Sequence, residues 1–406
     1  MVGALSHIRV LDLSRILAGP WVGQTLADLG ADVIKVERPS VGDDTRSWGP
    51  PFLRDKAGRE TADAAYFLSA NRNKRSLTVD FTRPEGQAIV RQLVSTADVL
   101  IENFKVGGLA QYGLDYETLQ TANSRLVYCS ITGFGQTGPY ARRPGYDFLI
   151  QGMGGLMSIT GAEDGEPGAG PQKVGVALTD VLTGLYSTVA ILSALAEREK
   201  SGLGQRIDMA LLDVQIAALA NQNMNYLTTG VPPRRMGNAH PNIVPYQDFP
   251  TSDGYMILAV GNDNQFSKLC KAIGHPEWAE DHRFATNSAR VQNREELIAL
   301  LNQTTVKRST NDWVERLEAV NVPCGPINDL RQVFEDEQVK ARGLRLDLPH
   351  PTAGKAPSVA NPIRLSRTPI EYRGAAPTLG QHTEEVLLEL GIDTTYIEEL
   401  ATHGII

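Results

Sequence analysis

In the stretch Val174–Leu195, VGVALTDVLTGLYSTVAILSAL, a single carboxylate, Asp180, sits among small and apolar side chains. Two chemistries suit an acid in that setting. The apolar residues Leu182, Leu185, Val189, Leu192 and Leu195 recur at helical spacing, so a helix is predicted directly after Asp180. Asp180 would then be its N-cap, accepting hydrogen bonds from the free N–H groups of the first turn. Alternatively, a carboxylate with few waters and some backbone donors is a candidate covalent nucleophile. Residue type and spacing leave both roles open.

The elements that must position such a residue are legible in outline. The chain has 406 residues, 42% hydrophobic and 21% charged, which excludes a disordered or membrane-embedded class. The net charge is −8 and no long basic stripe occurs, so no nucleic-acid partner is expected. Short basic clusters (NRNKRS, ARRP, PPRRMG) suit small anionic ligands or solvated faces. Cys129, Cys270 and Cys324 lie far apart and the histidines never form HxH or HExxH, so neither disulfides nor a metal site is predicted. With no signal-peptide pattern and no uninterrupted apolar run of spanning length, the expectation is a cytoplasmic protein with no membrane contact.

Along the first two hundred residues, strand-like runs (IRVLDLS, ADVIKVERP, RSLTVDF, ADVLIENF, RLVYCSITGFG) alternate with helical ones (GPWVGQTLADLG, RPEGQAIVRQLVST). That alternation predicts an α/β fold with a Rossmann-like parallel sheet covered on both faces. Neither GxGxxG nor GxxxxGK[ST] is present, which removes the two common nucleotide-binding readings. A strand and one long helix are predicted in GLGQRIDMALLDVQIAALANQNMNYL. The texture then becomes turn-rich. The predicted division is a large domain at 1–227, a smaller inserted α/β domain at 228–328, and a linker with a C-terminal return to the large domain at 329–406.

Several phrases in sequence order carry a resemblance. VLDLSRILAGPWVGQTLADLGADVIKVERP, NRNKRSLTVDF, ENFKVGGLAQYGL, SITGFGQTGPY and LTDVLTGLY, with GPINDLRQVF, LPHPTAGK and LGQHTEEVL later on, resemble the class III CoA-transferases, the CaiB/BaiF family. The segment GNAHPNIVPYQDFPTSDGYMILAVGNDNQF is most similar to a dicarboxylate-using subgroup. The resemblance implies that CoA moves from succinyl-CoA to a dicarboxylate, glutarate first, by way of an aspartyl anhydride and an aspartyl-CoA thioester on Asp180. It also implies an interlocked homodimer.

Other positions follow one at a time from the same resemblance. Arg38 would meet CoA phosphates; Val79 and Asp80 would lie near the adenosine; Asn103, Phe104 and Lys105 would line the CoA path. Tyr146 and Asp147 would sit beside the pantetheine and thioester. Asn238 and His240, in the loop GNAHPN, would close over the reacting centre, His240 orienting the acceptor carboxylate or donating to the anhydride oxygen. Arg46 and Arg72 are the candidate cations for the acceptor's far carboxylate. Oxalate-using members carry Gln at the position of Leu17 and Arg at that of Gln111, so the resemblance points away from oxalate. Related racemases carry His at the position of Tyr146, and Tyr is a poor proton shuttle near neutral pH. The alternatives are a 2-methylacyl-CoA racemase, a transferase for itaconate, mesaconate or malate, and a CoA-binding protein without catalysis.

Overall fold

The structure, a computed structural model, describes residues 3–406. Six strands build its central sheet: β1 (Arg9–Asp12), β2 (Asp32–Glu37), β3 (Arg75–Thr78), β4 (Val99–Glu102), β5 (Val127–Thr132) and β6 (Arg206–Ala210). They lie in the order β3-β2-β1-β4-β5-β6 and every pairing is parallel. This is the doubly wound order, in which the chain reverses its direction of growth between β1 and β4 and opens a crevice at their carboxyl ends. The α/β class predicted from alternation is the one observed.

The inner strands β1, β2, β4 and β5 are short, mostly apolar and almost wholly buried because both faces are covered. One face buries Leu11, Ile34, Leu77 and Leu100 against helix α2 (Pro84–Val94) and the C-terminal helices Thr383–Glu389 and Thr394–Thr402. The other buries Val10, Val33, Val99 and Val127 against α1 (Ala18–Asp28) and α4 (Leu178–Ser201). Two shorter helices complete the neighbourhood of the crevice, α3 (Asp147–Met153) and α5 (Leu211–Ala218). By length and composition α4 could cross a membrane, but it packs on α1, α5 and the β5 and β6 strands as a layer of the sheet.

Two local expectations change. Helix α4 begins at Leu178 with Ala177 as its N-cap, so Asp180 is inside the first turn and caps nothing. The long helix predicted after β6 is broken at Ala220, whose φ of +44° ends α5 before the helix Asn221–Thr229 starts.

The chain divides into two compact units: residues 3–156 with Val174–Met224 and Glu337–Ile406, and Met157–Lys173 with Asn225–Asp336. The predicted boundaries of 228–328 for the smaller domain leave Met157–Lys173 in the larger one, and the structure moves that segment. It belongs to the smaller unit because Glu163 pairs with Arg234 at 3.1 Å, Asp164 pairs with Arg235, and Gly237 N–H donates to Gly161 O at 3.1 Å. The smaller unit carries a three-stranded antiparallel sheet (Cys324–Pro326, Tyr255–Ala259, Tyr246–Pro250) whose apolar face, Phe249, Met256 and Leu258, packs with Phe266 and Trp313.

Gly184 sets how closely α4 approaches α1, because a Cβ there would stand 3.0 Å from both Ala18 O and a Trp21 ring carbon. Gly184→Val must push the two helices apart. It is expected to destabilise by about 1–3 kcal/mol, read as a lower midpoint in urea unfolding; an unchanged midpoint would show that the contact relaxes freely.

Candidate active site

A cleft of about 470 Å³ opens at the carboxyl ends of the sheet strands, where the doubly wound order places ligands. Each strand contributes to its wall: Leu13 and Arg15–Ala18 after β1, Glu37 and Arg38 at the end of β2, Val79–Thr82 after β3, and Asn103–Val106 after β4. Thr132 and Gly133 follow from β5 and Leu211 from β6. Asp180, in the first turn of α4, lines the same cleft.

The loop after β1 is held in an unusual shape. Ile16 has φ +73°, which a β-branched residue adopts only under constraint. Its N–H faces both oxygens of Asp43 at 3.3 Å, and Asp43 is paired with the fully buried Lys35 at 2.9 Å. Lys35 also donates to Ser14 O at 2.9 Å. Burial alone would raise the Asp43 carboxyl, but Lys35 and the Thr45 donors outweigh it and hold it at about 2. On the far side of the loop, Asn103 accepts from Arg15 N–H at 2.9 Å and donates to Arg15 O at 2.7 Å. Asn103 thus acts on the cleft as a splint between β1 and β4.

Around Asp180 the geometry is governed by a second acid. Asp147, at the start of α3, is buried and accepts from Thr179 N–H at 2.8 Å and Asp180 N–H at 3.3 Å. Gln151 donates to the other Asp147 oxygen at 2.6 Å. The free donors at the start of α4 therefore serve Asp147, and the expectation that they stabilise the Asp180 charge is not met. Burial, and next the Asp147 carboxylate, push the Asp180 acid up to about 7. A carboxylate that gives up its proton near neutrality and has little to stabilise its charge has the chemistry of a candidate oxygen nucleophile.

The remaining predicted residues fall into three groups. Arg38, Val79, Asp80, Asn103, Phe104, Lys105 and Tyr146 all line the cleft, as do Leu17 and Gln111. Asp147 does not; it lies behind Asp180 as a cap. Arg46 and Arg72 do not line it either, and both are corrected as substrate cations. Arg46 is buried on the Phe67 ring, with its guanidinium shared among Glu37 at 2.8 Å, Asp63 at 2.6 Å and Pro377 O at 3.1 Å. Arg72 is buried against Asp28, with Ser358 Oγ at 3.3 Å. Asn238 and His240 belong to the smaller unit, where His240 N–H donates to Tyr246 O at 3.0 Å and its Nδ1 accepts from Asn242 N–H at 3.1 Å. Burial, then the Arg294 charge, lowers the His240 pKa.

Arg142 and Arg143 also line the cleft, and sequence reasoning assigned them no role. Both are exposed, and Arg143 stacks over Tyr140 at 4.5 Å and Phe134 at 5.4 Å. The cluster ARRP was the available signal. With Arg38 and Lys105 they give the mouth four cations, while Phe81, Phe104 and Tyr112 form an edge-to-face aromatic wall with centroids 5.7 and 5.8 Å apart. Cations for phosphates, flat rings for a base and a lone reactive carboxylate fit an acyl-CoA substrate.

Residues 5–383 match the model of CoA-transferase family III. The chain belongs to that family. It is 56% identical to a succinate–glutarate CoA-transferase of Agrobacterium fabrum, over 95% of each chain. It is 42% identical to the human succinyl-CoA:glutarate CoA-transferase, over 99% of this chain and 90% of that one. A crystal structure of a CaiB/BaiF family protein from Brucella suis superposes with a TM-score of 0.84 at 54% identity, covering 96% of this chain and all of the other. The protein is accordingly a CoA-transferase, and acyl-CoA thioesters are its substrates.

The raised acid gives a stability test with a definite sign. Between pH 3.8 and about 7 folded Asp180 keeps a proton that the unfolded chain has lost. Stability must therefore fall as pH rises through that window. Asp180→Asn removes this penalty and is expected to be more stable than wild type at pH 8, by on the order of 2 kcal/mol, while the two converge near pH 4. Denaturant midpoints at both pH values check it; a less stable variant at pH 8 would contradict the raised acid.

Proposed function

We propose that this CoA-transferase moves CoA from succinyl-CoA to glutarate through covalent intermediates on Asp180. The observation that carries the chemistry is Asp180 itself, a carboxylate on the cleft wall whose proton leaves near neutrality and whose nearest backbone donors are occupied by Asp147. The names of the Agrobacterium and human relatives support the choice of substrates.

The steps balance without an added reagent. The Asp180 carboxylate attacks the succinyl thioester carbonyl, the C–S bond breaks, and CoA leaves as its thiolate from a succinyl-aspartyl anhydride. The thiolate then attacks the Asp180 carbonyl, releasing succinate and leaving an aspartyl-CoA thioester. A glutarate carboxylate attacks that thioester to give a glutaryl-aspartyl anhydride and thiolate. Attack of the thiolate on the glutaryl carbonyl forms glutaryl-CoA and restores the Asp180 carboxylate. Dividing one exchange into four substitutions keeps each barrier low. Arg38, Lys105, Arg142 and Arg143 would hold the CoA phosphates, and the apolar Leu17 suits a longer acid better than oxalate. The far carboxylate of glutarate needs a cation other than Arg46 or Arg72.

Purified protein mixed with succinyl-CoA and, separately, glutarate, itaconate, mesaconate, malate and oxalate is expected to form glutaryl-CoA fastest by mass spectrometry. Asp180→Ala should reduce that rate at least about 10³-fold. Preference for another acid would replace glutarate, and full activity in the variant would remove Asp180 as nucleophile.

We also propose a homodimer and a cytosolic location. Exposed Phe148, Leu149 and Met153 on α3, Leu185, Tyr186 and Val189 on α4, and Ile216 on α5 are the apolar side chains that support the dimer reading. Light scattering at micromolar protein is expected to give twice the chain mass, and a monomer would overturn the proposal. Three free cysteines are compatible with a reducing compartment, which cell fractionation would test.

A further inference from the structure

Glu102 ends β4 and is almost wholly buried, yet no Lys or Arg lies within ion-pair distance of it among the described residues. Its two oxygens are engaged by neutral donors. One accepts from Phe104 N–H at 2.8 Å; the other takes the Ser130 hydroxyl of β5. Ser130 in turn accepts from Gln136 Nε2 at 2.8 Å, and Gln136 Oε1 accepts from Arg206 of β6 at 2.7 Å. Arg206 is itself committed to Glu117 at 3.0 Å. A buried carboxylate with no cation beside it is expensive to ionise.

Glu102 lines a second cavity of about 330 Å³, and Lys105, Val106 and Gly108 line both that cavity and the cleft. The loop after β4 is therefore a shared partition. Its one charged side chain, Lys105, is exposed and makes no ion pair among the described residues. An ionised Glu102 attracts that ammonium toward the second cavity and adds negative potential beneath a cleft built for phosphates. A neutral Glu102 leaves Lys105 to the cleft.

We propose that Glu102 is a proton-linked positioning residue for the CoA cleft, so that binding of a CoA polyanion is coupled to proton uptake at Glu102 across the Lys105–Gly108 partition. This rests on the assignment of the cleft to CoA. Burial raises the Glu102 pKa to about 7 against the Ser130 and Phe104 hydrogen bonds, which puts the coupling in the working pH range. The other charged or titratable groups around it are Arg206 on β6, Tyr128 and Cys129 on β5, and Asp115, Tyr116 and Glu117 at the start of the helix Tyr116–Ala122. Burial raises both Tyr128 and Cys129 well beyond neutrality, so neither exchanges a proton there. By linkage, whatever raises CoA affinity on protonation must raise the Glu102 pKa on binding by the same factor.

The test is calorimetric titration of CoA itself into wild type and Glu102→Gln at pH 7, in two buffers of different ionisation enthalpy, with acyl-CoA KM and kcat measured from pH 6 to 8.5. Wild type is expected to take up a few tenths of a proton, with about half as the ceiling for a group half-protonated at pH 7. Glu102→Gln should lose that increment, and the comparison separates Glu102 from the titration of the CoA 3′-phosphate itself. Relative to the variant, wild-type KM should rise by about fivefold from pH 6 to 8.5, with the effect in KM rather than kcat. Equal proton uptake in the two proteins, or parallel KM profiles, overturns the proposal. Should Glu102→Gln fail to fold, Ser130→Ala removes one donor to the carboxylate, and its KM rise must then move to higher pH; an unmoved profile is again a refutation. Absence of CoA binding to wild type would instead defeat the cleft assignment, and the proposal with it.

Discussion

Two buried ammonium–carboxylate pairs brace the carboxyl ends of β1 and β2, and the cleft depends on them. Lys74 meets Asp12 at 2.9 Å and Lys35 meets Asp43 at 2.9 Å, with all four side chains out of contact with solvent. Desolvating such groups costs several kcal/mol each, so the pairs add little to net stability. What they do is fix backbone. Lys74 also takes Pro20 O and Asn71 Oδ1 at 2.8 Å, and Lys35 takes Ser14 O, so each ammonium ties separate chain segments to one point. Burial lowers the Lys74 pKa to about 8 even with Asp12 beside it, while at Lys35 the same burial is outweighed by Asp43, Asp12 and Glu37 and the pKa rises. The left-handed Ile16 survives because this brace and the Asn103 splint hold it from both sides.

The same economy of donors explains the reactive acid. A helix start offers several free N–H groups, and a carboxylate using them would be well stabilised and poorly nucleophilic. Here Asp147 takes those of Thr179 and Asp180 and leaves Asp180 beside a like charge in a partly dry cleft. On the mechanism proposed above, stability is surrendered at one residue so that its oxygen can attack a thioester. Asp147 is therefore better understood as a positioning residue than as a wall of the substrate site.

Much of this is legible in the residues alone. Apolar runs separated by helical periods point to the parallel sheet, since strands covered on both faces show no polar alternation. The position of Asp180 in an apolar stretch marks the nucleophile candidate, and the phrases of the resemblance mark the strands' ends as the cleft. Misreadings share a cause. Arg46 and Arg72 sit in matched segments and look available, but a guanidinium's fate depends on groups far away in the chain: Asp63 and Pro377 for one, Asp28 and Ser358 for the other. The segment Met157–Lys173 has the texture of an ordinary loop because its partners Arg234, Arg235 and Gly237 lie far along the chain.

The sequence by itself determined the fold class, the candidate carboxylate and the basic clusters, because periodicity and residue type are local properties. Tertiary structure alone decided which cations remain free to meet an anion, which acid caps the helix and which acid is left exposed to react. Those outcomes are competitions among distant charged groups for a fixed number of hydrogen bonds. Asp147 and Asp180 are 33 positions apart, and only their meeting at the start of one helix makes one a cap and leaves the other a raised acid on the cleft wall.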